Sequence, residues 1–219
     1  MSQRHATLLL GSSRKRKNTM VFATALSESL ERRGYSTEFF HSIDAYVEIP
    51  DIMLDSLKGS EMLCVLTPLY SDFLPYTLIK TLEELSDKYR DVLRGKSLFG
   101  FSQCAFPFWR LNEASLKSIE LFGKENGMNW LGGIAYGGAG MMDCKHLSEM
   151  GSKGEKMMKG FEMAVSAMAE GKKIPEECQA EFELNIPGML KRPVCWMINK
   201  RIRKMERETG KHFEDRPYA

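Results

Sequence analysis

The sequence predicts an open, doubly wound α/β sheet of five parallel strands, followed by a helical extension at the C-terminal end. Three observations predict it. Apolar runs of strand length alternate with segments of helical period, the pattern of βαβ units. Glycine stands where several of the helices should stop. The chain, at 219 residues, is long enough for one well-buried core and short for two.

The first strand spans Ala6 to Leu10 and stops at Gly11. A helix begins near Asn18, with Phe22, Leu26 and Leu30 on one face and Gly34 as its stop. A second strand covers Ser36 to His41, and Ile52 to Leu57 suits a short helix before the third strand, Met62 to Leu66. The next helix carries Leu78, Leu82, Leu85 and Tyr89 on one stripe. Strand four is Ser97 to Ser102, and a helix from about Asn112 to Asn126 ends at Gly127. Strand five, Asn129 to Tyr136, breaks into Gly137-Gly138-Ala139-Gly140. A long helix then places Met157, Phe161, Val165 and Met168 inward and stops near Gly171. Right-handed crossovers are the rule for such connections.

The pattern changes at Lys172, so residues 1–171 are expected to form the α/β domain and 172–219 an extension. Ile174-Pro175 and Ile186-Pro187-Gly188 are breakers, and Pro193 is expected to open a short helix with Cys195, Ile198, Ile202 and Met205 on one side. Its other side is dense in Lys and Arg. Three roles suit it: packing on the domain, completing a homodimer, or lying on an anionic membrane surface. Its short apolar side favours packing.

Composition sets bounds on function. Hydrophobic residues are 43% and charged residues 27%, an ordinary globular balance, and the net charge of +2 does not point to nucleic acid. No apolar stretch approaches the roughly 20 residues that span a bilayer. The run Thr7 to Leu10 is cut short by Gly11, which argues against a secretory signal and leaves the cytoplasm as the expected location. Cys64, Cys104, Cys144, Cys178 and Cys195 are odd in number and scattered, unlike a disulfide framework or zinc ribbon.

The segment with most chemistry is Gly11-Ser12-Ser13-Arg14-Lys15-Arg16-Lys17-Asn18-Thr19, between the first strand and first helix. A loop feeding a helix N-terminus offers a phosphate free backbone N–H groups and the positive end of the helix dipole. Ser12, Asn18 and Thr19 add donors, and Arg14 can pair with the phosphate. The loop is neither a P-loop nor a Gly-x-Gly-x-x-Gly turn. On spacing alone, a solvated basic turn accounts for it equally well.

Gly11-Ser12-x-Arg14-x-x-x-Asn18-Thr19 after a first strand resembles the phosphate loop of the NAD(P)H-dependent FMN reductases and multimeric-flavodoxin oxidoreductases. Thr67-Pro68-Leu69-Tyr70, at the end of the third strand, is similar to that family's Ser-Pro-Val-Tyr segment. The resemblance covers about Ala6 to Gly140. It implies a flavodoxin-like sheet of order 2-1-3-4-5, bound FMN, and reduction by NAD(P)H. Ligands of open α/β sheets sit at the carboxyl ends of the strands, where the order reverses. The loops after strands one, three and four meet at that edge. The cofactor-binding residues expected there are Ser12, Arg14, Asn18, Thr19, Pro68, Leu69, Tyr70, Ser71, Asp72, Gln103, Cys104, Ala105 and Phe106. Tyr70 is placed to cover a ring face, with Phe106, Phe108 and Trp109 as further aromatic surface; capping the sheet core is the alternative role for these aromatics, and it suits Phe108 better than Tyr70. Backbone N–H groups at Leu69 to Ser71 and at Gln103 to Phe106 suit the polar edge of a flavin.

Ser71, Asp72 and Phe73 depart from the family, many of whose members place glycines after the tyrosine. A carboxylate at Asp72 would disfavour an anionic reduced ring or bind a ring N–H, and it suits solvent equally well. The segment Pro68 to Pro75 resembles a subset that carries an acidic residue there. No cysteine falls between His41 and Met62, where iron–sulfur relatives carry a cluster. Cys144-x-His146 has no second pair to complete a metal site and suits the approach to a helix. Gly132-Gly133 and Gly137-Gly138 suit close packing or turns, and the second pair can border the cofactor.

The resemblance therefore implies a flavin-dependent oxidoreductase, with no protein side chain assigned to the chemistry itself. NAD(P)H would reduce the flavin, which would pass electrons to a quinone, a nitro or azo compound, free flavin, or a protein. A homodimer is the expected assembly. A flavodoxin-type electron carrier and a non-enzymatic interaction module on the same scaffold remain as alternatives.

Overall fold

The computed structural model describes residues 4–15, 17–142, 144–184 and 188–210. Its elements run β1 (Arg4–Leu10), α1 (Asn18–Glu31), β2 (Tyr35–His41), α2 (Ser42–Ala45), α3 (Asp51–Gly59), β3 (Met62–Pro68), α4 (Tyr76–Lys88), α5 (Arg90–Leu93), β4 (Ser97–Cys104), α6 (Glu113–Glu125), β5 (Asn129–Gly137), α7 (Gly151–Ala169), α8 (Glu177–Ala180) and α9 (Gly188–Thr209). The strands pair in parallel in the order β2-β1-β3-β4-β5, the flavodoxin-like order.

A parallel sheet covered on both faces calls for strands apolar on both sides, and β3 is buried along its whole length. Alternate residues feed two cores. On one face Leu8, Leu10, Phe99 and Phe101 meet Phe22 and Leu26 of α1 and Phe161 and Val165 of α7. On the other, Leu9, Leu63, Val65 and Leu98 meet Leu57 of α3, Leu78, Leu82 and Leu85 of α4, and Ile119 of α6. Gly34, Gly127 and Gly171 follow their helices with positive φ, the left-handed conformation that favours glycine.

One compact unit ends at Leu184 and a second begins at Asn185. Within the first, residues 172–184 cover the outer edge of β5. The Gln179 side chain acts as a strand substitute, accepting from Ala135 N–H at 2.8 Å and donating to Ala135 C=O at 2.9 Å. Ile174 N–H adds a bond to Leu131 C=O at 2.8 Å. An uncovered strand edge invites pairing with other chains, and this segment blocks that pairing.

Two expectations need correction. Pro193 does not open a helix but sits inside α9, which starts at Gly188. Met189, Leu190, Lys191 and Arg192 are good helix formers, and a helix of 22 residues absorbs the single bond that proline removes. The side chains of Ile198, Ile202 and Met205, like Arg16, Ile186, Pro187 and His212, lie outside the described residues. Phe108 does not cap the sheet core; it is 50% exposed, on the loop after β4.

Helix α7 begins against a 3-10 turn at Leu147–Glu149, whose approach is shaped by His146: its ring Nδ1 accepts from Ser148 N–H at 3.3 Å. A Cβ at Gly154 would lie 1.7 Å from Leu147 C=O, and backbone cannot swing aside as a side chain can. Gly154→Ala is expected to destabilise the protein by about 3 kcal/mol, the upper range for overpacking, read as a lower denaturation midpoint in urea.

Candidate cofactor site

A cavity of about 260 Å³ opens at the carboxyl end of the sheet, between the loops that leave β1, β3, β4 and β5. Its lining contains Ser12, Arg14, Lys17, Asn18, Thr19, Pro68, Leu69, Tyr70, Gln103, Cys104, Ala105, Ala139 and Gly140. Ten of the thirteen residues expected from the sequence are thus brought together, while Ser71, Asp72 and Phe106 stand outside the lining. Lys17, Ala139 and Gly140 are additions. The first is one of four consecutive basic residues, and the other two follow the glycine pair that can border the cofactor.

The β1 loop is pinned to β3. Gly11 N–H donates to Leu66 C=O at 2.8 Å, and a Cβ on Gly11 would fall 2.6 Å from Thr67 Oγ1 and 2.8 Å from Leu78 Cδ2, so glycine permits this approach. Ser12 is buried and turns the chain: its hydroxyl accepts from Arg14 N–H at 3.2 Å and donates to Arg14 C=O at 3.1 Å. Lys15 leaves the cavity to meet Asp44 at 2.6 Å. Arg14 and Lys17 both line the cavity, and neither meets a carboxylate among the described residues.

Helix α1 starts at that same wall with no side chain capping it. The N–H groups of Asn18 and Thr19 find no acceptor among the described residues, leaving the donors that a helix N-terminus presents to an anion. The Asn18 side chain has another task. Its Nδ2 donates to Ala139 C=O at 2.5 Å and its Oδ1 accepts from Cys144 N–H at 3.1 Å, tying α1 to the loop after β5. Thr19, also buried, accepts from Gln103 Nε2 at 3.3 Å.

The β3 loop differs from expectation in its free donors. Leu69 N–H is taken by Gln103 C=O at 2.8 Å, because pairing of β3 with β4 continues one residue past the strand. Tyr70 N–H is taken by Phe73 C=O at 2.9 Å, and Phe73 N–H returns to Tyr70 C=O at 3.0 Å. Between them Ser71 and Asp72 hold φ of 48° and 63°, a tight turn in the left-handed region. Two non-glycine residues there carry strain, so Ser71→Gly with Asp72→Gly is expected to stabilise the native state by about 1 kcal/mol in thermal melts. The turn presents Tyr70, 42% exposed, at the cavity wall.

The β4 loop is shaped by Asn112, a fully buried residue that the sequence suggests only as the start of a helix. Its Nδ2 donates to Trp109 C=O at 3.0 Å, Tyr136 C=O at 3.3 Å and Cys104 Sγ at 3.4 Å, and its Oδ1 accepts from Ser102 Oγ at 3.0 Å. Ala105 and Phe106 N–H find no acceptor among the described residues. Gly137 holds the neighbouring strand tight to this loop, since a Cβ there would lie 2.6 Å from the Pro107 backbone. Phe106 and Phe108 turn outward, each about half exposed.

Burial pushes the Cys104 thiol up from its ordinary value, with the Asn112 hydrogen bond opposing this in part. Burial raises Cys64 and Cys178 as well. Cys144 and Cys195 are exposed. Thiolate is the reactive form, and in mildly alkaline buffer a colorimetric thiol reagent is expected to titrate these two quickly and the other three only after denaturation. Rapid titration of three or more in the native protein would contradict the placement of the buried thiols.

The residues fit a phosphate monoester at the α1 corner: two cations and two N–H groups without partners among the described residues, together with the Thr19 hydroxyl, converge there. The volume falls just below the range usual for ligand pockets, roughly 300–1,000 Å³, and the mouth is open beside Tyr70. Among the described residues no helix is long and apolar enough to cross a membrane.

No family model and no curated protein matches the chain. Solved structures do. An NADH:FMN oxidoreductase in its apo form aligns with TM-score 0.57 at 12% identity, over 86% of this chain and 99% of that one. RosB with a bound 8-demethyl-8-formylriboflavin-5'-phosphate intermediate aligns with TM-score 0.59 at 12% identity, over 90% and 87%. A flavodoxin, WrbA-like protein from Agrobacterium tumefaciens aligns with TM-score 0.51 at 15% identity, over 82% and 99%. At such identities the likeness is one of architecture, and together with the strand order it shows that this chain has the flavodoxin-like fold.

Proposed function

We propose that this chain is an FMN-dependent NAD(P)H oxidoreductase. The observation that carries the reading is the α1 corner of the cavity, where Arg14, Lys17 and the uncapped helix start lie together with no carboxylate paired to either cation among the described residues. A dianionic phosphate is the group that this charge and these donors suit. The structures it resembles include one described as an NADH:FMN oxidoreductase and one holding a flavin phosphate.

In this reading Arg14, Lys17 and the N–H groups of Asn18 and Thr19 bind the phosphate. Asn18 and Gln103 hold the α1 start against the β4 and β5 loops. Tyr70 covers the ring, and Ala105 N–H meets its polar edge. Bound FMN supplies the redox chemistry, accepting electrons from NAD(P)H and passing them to a small-molecule or protein acceptor. The protein binds and orients the ring and leaves one side open to the donor. A cytoplasmic homodimer belongs to the same proposal.

The test is anaerobic mixing of the FMN-loaded protein with NADH, and separately with NADPH, followed by absorbance in the flavin band. Bleaching by either nucleotide supports the oxidoreductase. A flavin that bleaches with dithionite but with neither nucleotide would make the chain an electron carrier instead.

A further inference from the structure

We infer that the exposed face of α9 is a docking surface for anionic lipid headgroups. Between Gly188 and Gly210 the sequence holds seven Lys or Arg and two Glu, a net of +5 on a chain whose total is +2, so the remainder is at −3. Positive charge is therefore concentrated on this one helix. On it, Arg192, Trp196, Lys200, Arg203 and Arg207 follow one another at steps of four, four, three and four residues, the spacing of a single helical stripe. All five are exposed. Fifteen helical steps make the stripe about 22 Å long.

Trp196 lies within this stripe and is 64% exposed, with Met197 beside it at 49%. Lys200 Nζ stands 5.1 Å from the centroid of the Trp196 ring, so cation and aromatic ring form one continuous surface. Basic residues attract the anionic leaflet, and a tryptophan at the same level has an apolar ring and a polar N–H suited to the headgroup region. An acidic protein would meet the charge without needing the exposed Trp196 and Met197. Nucleic acid would meet a chain whose other residues are net negative, unlike the broadly basic domains that bind it. A lipid surface is the occupant that both the charge and the exposed apolar side chains suit. This inference is independent of the flavin reading, since none of its residues lines the cofactor cavity.

Sedimentation of the full chain with vesicles tests it, comparing pure phosphatidylcholine with phosphatidylcholine containing about 30% phosphatidylserine at about 0.1 M and 0.5 M salt. Anionic vesicles are expected to bind the protein at least about tenfold more tightly than neutral ones, with most of this lost at the higher salt. Lys200→Glu, Arg203→Glu and Arg207→Glu combined should abolish the difference, and Trp196→Ala should weaken binding several-fold, with circular dichroism unchanged in both. Equal binding to neutral and anionic vesicles, no binding to either, or undiminished binding by the triple variant would each overturn the inference. So would a short RNA or DNA duplex that binds the same face more tightly than the vesicles do.

Discussion

Arg14→Ala combined with Lys17→Ala is expected to weaken FMN binding by about a hundredfold or more, from two charge-assisted contacts of about 1.5–3 kcal/mol each. Riboflavin, which lacks the phosphate, should bind the variant and the unaltered protein equally. The two cations line the cavity without carboxylate partners among the described residues, so removing them strands no described charge. Stability should therefore stay close to that of the unaltered protein. Lys15→Ala serves as the matched control. It removes a charge from the same loop, but one engaged with Asp44 outside the cavity, and FMN binding should change little. Titration calorimetry with both flavins separates loss of phosphate recognition from loss of ring recognition. If riboflavin binding fell in parallel with FMN binding, the loop would be shaping the whole cavity rather than holding a phosphate.

Asn112→Ala carries the largest expected cost in stability, about 3–4 kcal/mol. The substitution takes the partner from Ser102 Oγ and removes a donor from the Tyr136 carbonyl in a buried site, each unsatisfied group costing about 1–3 kcal/mol before relaxation. The effect should extend to the ligand. Asn112 ties the β4 loop to β5, and that loop carries Ala105 to the cavity wall. Denaturant unfolding monitored by circular dichroism gives the stability change, and FMN titration of the folded variant gives the second effect. A variant within about 1 kcal/mol of the unaltered protein would mean that water replaces the lost partner in this buried site.

The strands are legible in the sequence where the sheet buries both faces, because a short unbroken apolar run such as Met62 to Leu66 suits a strand covered on two sides. Glycines at 34, 127 and 171 mark the helix ends because each holds a positive φ that other residues avoid. The cavity's location follows from strand order and from the two loops that resemble a known family. What stays hidden depends on contacts between distant segments. The motif singles out Arg14 but says nothing to separate Lys15 from Lys17, and only the Asp44 partner of Lys15 and the place of Lys17 at the start of α1 distinguish those two. Leu69 N–H reads as a free donor in the sequence, yet continued pairing with β4 uses it. Asn18 looks like a phosphate ligand, and its side chain instead ties two loops together. Gln179, 44 positions beyond Ala135, completes an edge that no local pattern reveals.

The most direct measurement is the visible absorption spectrum of the purified chain after incubation with FMN and desalting, run beside an identical sample given riboflavin. Phosphate recognition at Arg14, Lys17 and the α1 start predicts a retained, stoichiometric flavin spectrum with FMN and a much weaker one with riboflavin. Equal retention of the two flavins, or retention of neither, would contradict it.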